Sequence, residues 1–67
     1  MEAPKYPHIT VQLTGEDGNA FAILGRVTKA MRHGGVPQPE IAEFSEIALS
    51  GNYDNLLKTV LATVQVA

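Results

Sequence analysis

The chain has 67 residues, enough for one domain, and 7 acidic against 5 basic side chains give it a net charge of −2. That balance argues against a general nucleic-acid binder, which is normally basic; a hydrophobic content of 45% argues against disorder; and the lack of cysteine excludes disulfides and cysteine-based zinc sites. No run approaches the ~18 apolar residues of a transmembrane helix, and the opening MEAPKYPH lacks a charged segment followed by an apolar one, so the expectation is a cytoplasmic protein with no secretory signal and no membrane contact.

In chain order, residues 1–7 carry Pro4 and Pro7 and are predicted to form an extended N-terminal arm, with residues 8–67 a single compact domain. Ile9, Val11 and Leu13 alternate with His8, Thr10 and Gln12, the pattern of a strand with one buried face. Such a strand needs a partner for its backbone groups. The partner is either a second strand of the same chain or the same strand of another copy.

The next stretch, GEDGN, suits a tight turn leading into a helix. Asn19 can cap the first free amides of a helix beginning at Ala20, with Asp17 an alternative cap, and Glu16 and Asp17 would sit at the positive end of the helix dipole. Ala20, Ile23, Leu24, Val27 and Met31 then follow a 3.6-residue period, and Gly34-Gly35 supplies the stop. Gly25 interrupts this helix at a cost of about 1 kcal/mol relative to Ala, which predicts close approach of another backbone or, alternatively, a contact surface.

After a stiff Val36-Pro37-Gln38-Pro39 connector, Ile41, Phe44 and Ala48 predict a second helix with Ile47 at its flank and Glu40, Glu43 and Glu46 on its polar side. Ser50-Gly51 ends it, and Asn52 or Asp54 caps a third helix whose apolar residues are Tyr53, Leu56, Leu57, Val60, Leu61 and Val64. The β-branched run near the end predicts a helix to about Ala62 and a short strand over residues 63–66. The order strand–helix–helix–helix with a short C-terminal strand makes a small single α+β domain. Leu13, Leu24, Val27, Phe44 and Leu57 are the expected core.

Two stretches, GEDGNAFAILGRV at residues 15–27 and SGNYDNLL at residues 50–57, resemble a family of short bacterial and phage- or plasmid-borne proteins marked by GxDGNAF and SG(D/N)YDxLL motifs. Asn52 stands where that family usually has Asp. The resemblance covers most of residues 9–66. It implies one domain, with a strand leading through a turn into a helix, and it implies no particular chemistry.

Four groups of residues bear on function. The GEDGN turn lacks the lysine and second glycine of a phosphate loop, and its own acids would repel an anion; Asp17, Asn19 and Asp54 do not have the spacing of a calcium loop. No cofactor and no metal are expected. His8 and His33 have neither serine nor acid at a telling spacing, Ser45 and Ser50 lack a nucleophile-elbow context, and catalysis is not expected.

Arg26, Lys29, Arg32 and His33 form a polar face that could pair with Glu40, Glu43 and Glu46 or touch phosphates. Finally, Phe21, Ile47, Leu49, Leu57 and Leu61 exceed what one narrow stripe per helix can bury, and surplus apolar surface usually marks an interface. A chain this short buries only about 60% of its extended-chain surface, so self-association is the expected device for stability. The sequence therefore reads as a non-enzymatic protein-interaction module forming a homo-oligomer, with any further protein partner unidentified. The alternative is an accessory nucleic-acid-binding or regulatory protein of a mobile element using the Arg26/Lys29/Arg32/His33 face.

Overall fold

The computed structural model describes residues 3–13 and 18–67 and orders them as β1 (Tyr6–Val11), α1 (Ala20–His33), α2 (Gln38–Ala48), α3 (Tyr53–Thr63) and β2 (Val64–Val66). This is the small α+β arrangement expected. Thr14, Gly15, Glu16 and Asp17 lie outside the described residues, and with them the first part of the GEDGN turn and the alternative cap at Asp17. No helix among the described residues is long and apolar enough to cross a membrane.

β1 pairs with β2 in parallel, so the strand finds its partner within the chain. It begins at Tyr6, earlier than alternation predicted, because pairing reaches back into the proline-containing segment: the Lys5 amide donates to the Ala62 carbonyl at 2.9 Å. Pro7 has no N–H to offer the ladder. Pairing is irregular across it, passing from Tyr6↔Val64 to Thr10↔Gln65 and Val11↔Val66. Beyond the strand the Ala67 amide donates to the Val11 carbonyl at 2.9 Å. Thr63, expected to open the last strand, stays helical, and its Oγ1 donates to the Thr59 carbonyl at 2.6 Å.

Asn19 starts α1 as its chemistry predicts, its Oδ1 accepting from the Phe21 amide at 2.8 Å and the Ala22 amide at 3.4 Å. The two glycines that stop the helix do different work. Gly35 takes the left-handed conformation at φ +87°. Gly34 has an ordinary φ of −82°, but a Cβ there would meet Ile9 Cδ1 and Cγ1 at 2.7 and 2.8 Å, so β1 packs directly on the helix end. Gly25 does not have the close backbone approach expected of it, since a Cβ there would meet nothing within 4 Å.

At the α2–α3 corner Asn52 caps α3 by accepting from the Asn55 amide at 3.0 Å, and Asn55 Nδ2 donates back to the Ile47 carbonyl at 2.9 Å. The Tyr53 hydroxyl donates to the Gly18 carbonyl at 2.6 Å, tying the start of α3 to the chain entering α1. Val27, Met31 and Val60 have no exposed surface, and Ile9, Val11, Ile23, Ile41, Phe44, Leu56 and Val64 close around them. Leu13, Leu24 and Leu57, expected in the core with Val27 and Phe44, are only partly buried and pack at its margin. The buried line of α1 is Ile23–Val27–Met31, and Leu24 lies one residue to the side of it.

Candidate functional site

Two surface features stand out. The first is a cleft of about 100 Å³ where the start of β1 meets α2 and α3. Met31, Phe44 and Ile47 supply its apolar wall, and Lys5, Tyr6, Glu40 and Glu43 its polar rim. Parallel pairing holds Lys5 and Tyr6 in place, and Glu40 stands in the first turn of α2. The Tyr6 hydroxyl donates to Glu40 Oε2 at 2.6 Å, while Lys5 Nζ lies 3.6 Å from Glu40 Oε1.

The Tyr6 hydrogen bond, helped by the Lys5 ammonium, holds the Glu40 carboxyl below its usual titration range. The same hydrogen bond, with burial, raises the Tyr6 hydroxyl. The Lys5 ammonium is raised by the negative charge that Tyr6 and Glu40 can carry beside it. Glu43 faces the same rim, so the cleft carries two acids against one lysine. The cluster spans 34 positions of sequence through the Tyr6–Glu40 bond, and no local pattern announces it.

The second feature is an open groove on the outer side of α1, lined by Phe21, Ala22, Gly25, Arg26 and Lys29. At about 100° per residue these side chains point away from Ile23, Val27 and Met31. Arg26, Lys29, Arg32 and His33 are all exposed, and the described residues contain no ion pair between these cations and Glu40, Glu43 or Glu46. The intramolecular pairing that the sequence allowed is therefore not formed among them; the acid at Glu40 is taken by Lys5.

Of the apolar surplus, Phe21 is 73% exposed, Leu61 60%, Leu49 50% and Ile47 48%, whereas Leu57 is half-buried against the core. Tyr53, expected on the apolar face of α3, is also exposed. Ile47 belongs to the cleft and Phe21 to the groove, so the surplus is divided between two places. His8 is exposed on β1 with its ring edge-on to Tyr6 at 6.2 Å, and His33 is exposed in the last turn of α1; neither lines the cleft. Ser50 is used locally, its hydroxyl donating to the Ile47 carbonyl at 2.6 Å. No family model matches the chain, and no curated protein or solved structure matches it either.

Proposed function

We propose that this chain is a non-enzymatic protein-interaction module that works in the cytoplasm by self-association. The observation carrying this reading is the exposure of Phe21, Ile47, Leu49, Tyr53 and Leu61 on a chain of this size. Scattered exposed leucines are ordinary. An aromatic ring almost three-quarters exposed on one side and an apolar-walled cleft on another are surfaces that gain by being covered. The absence of cysteine suits a reducing compartment.

Solution mass by light scattering over a wide dilution series, at low and high salt, tests this. The expected result is a mass above that of the monomer which persists at high salt, since apolar contact is not screened. A monomer at every concentration overturns the reading.

The second reading, a nucleic-acid-binding or regulatory protein of a mobile element, draws on the shared exposure of Arg26, Lys29, Arg32 and His33 along α1. Its mark is affinity that falls steeply with salt, with a log–log slope of about 0.9 per phosphate contact. Fluorescence anisotropy on a labelled duplex distinguishes the two. No binding at low salt removes the second.

A further inference from the structure

We infer that the chain assembles head to tail, with the Phe21 groove of one copy seated on the Lys5–Glu40–Glu43 cleft of the next. The inference rests on the self-association reading and supplies its geometry. Three observations carry it.

The first is complementary charge. The groove has Arg26 and Lys29 beside the exposed ring, while the cleft has Glu40 and Glu43 against Lys5, with Glu46 one turn further along α2. Lys29 and Glu43 have no ion-pair partner among the described residues. Opposed charge at the rim of a contact sets partner and orientation more than it sets affinity.

The second is shape. Phe21 is the most exposed of the large apolar side chains, and among the described residues it is the one that shares its groove with two cations. Gly25, one turn on, leaves open space beside it, so a neighbouring chain can approach the helix backbone. On the other side the cleft offers about 100 Å³ against Met31, Phe44 and Ile47. An enclosed apolar cavity of about 150 Å³ takes a whole benzene ring, so an open cleft of this size takes the leading part of one.

The third is placement. The groove lies on the outer side of α1, and Met31 reaches the cleft from the inner side of the same helix. A contact joining surfaces on opposite sides of one helix does not pair like with like, so it propagates or closes as a ring.

Mixing two variants tests this directly. One loses the knob, Phe21→Ser with Lys29→Glu; the other loses the socket, Glu43→Lys with Ile47→Ser. All four positions are exposed, and circular dichroism first checks that both variants melt close to the parent. Light scattering then follows the parent, each variant and an equimolar mixture.

The expected result is parent mass that grows with concentration, variants that associate at least about tenfold more weakly when alone, and a mixture that forms pairs and stops there, because each pair keeps one intact contact. A variant that assembles as the parent does, or a mixture that stays monomeric, overturns the head-to-tail contact. Assembly of the parent together with unweakened variants removes this contact and leaves self-association standing. A parent that is monomeric throughout removes both.

Discussion

The two sides of α1 are made from the same stretch of chain and behave oppositely. On the inner side Ile23, Val27 and Met31 are buried to 4% exposure or less, and each occupies a defined place among β1, α2 and α3. On the outer side a phenylalanine stands in solvent, a glycine faces open space, and cations follow one another without acids from α2 to meet them. The helix is thus settled by burial on one side, while the other side stays open to solvent. A small domain has a limited interior, and apolar side chains beyond its capacity stay at the surface.

The comparison makes graded predictions. The largest effect is expected inside. Met31→Ala should cost about 2–5 kcal/mol, enough to unfold much of a domain this size, with Leu24→Ala costing clearly less because Leu24 is only partly buried. Urea unfolding followed by circular dichroism ranks the two, and equal costs would mean that the inner line is misplaced.

Next, Gly34→Ala should destabilise by about 1–3 kcal/mol, the range for overpacking, since its new methyl would displace Ile9. Full stability would break the claimed contact between α1 and β1.

On the outer side the sign reverses. Gly25→Ala should stabilise the monomer by up to about 1 kcal/mol, as nothing within 4 Å opposes a methyl there. The melting temperature at high dilution reads this apart from any assembly.

The smallest effect is the pH dependence of the cleft cluster. Glu40 titrates lower when folded than its ordinary 4.5, so its contribution is present above that pH and is lost as pH falls through the folded value. Tyr6 and Lys5 titrate above their ordinary 10.0 and 10.5, so theirs is present below those values and is lost as pH rises through the raised ones. Glu40→Gln should flatten both limbs of a plot of melting temperature against pH by slightly lowering the neutral plateau, where all three contributions are present. A variant with the parent's two limbs would exclude the cluster as their source.

What could be read from the sequence was local. Asn19 and Asn52 begin helices because a short polar side chain before an amphipathic run has one evident use, and both do so here. The alternation of Ile9 and Val11 marks a strand for the same reason. The harder features are long-range or finely phased. Pro7 obscures the start of β1, because only pairing with β2 reveals that a proline is tolerated there. Leu24 and Ile23 are adjacent, and a rotation of one residue decides which of them is central.

The cleft is the clearest case. Lys5, Tyr6 and Glu40 have no shared motif, and their meeting depends on where α2 passes the start of the sheet. The apolar surplus was legible as a surplus. Its division between the groove and the cleft depends on how the helices pack, as does the half-burial of Leu57.

The parallel pairing of β1 with β2 also orders events in time. β1 is made before the three helices, but its only strand partner among the described residues follows all of them, with Ala62 answering Lys5 and Ala67 answering Val11. Until those residues leave the exit tunnel the sheet cannot form, and Ile9 and Val11 have helices but no strand to shelter them. Closing a loop of that length costs entropy before it returns any contact. A nascent chain stalled before β2 should therefore hold helices without the sheet, and β2 acts as the latch that commits the domain to its fold.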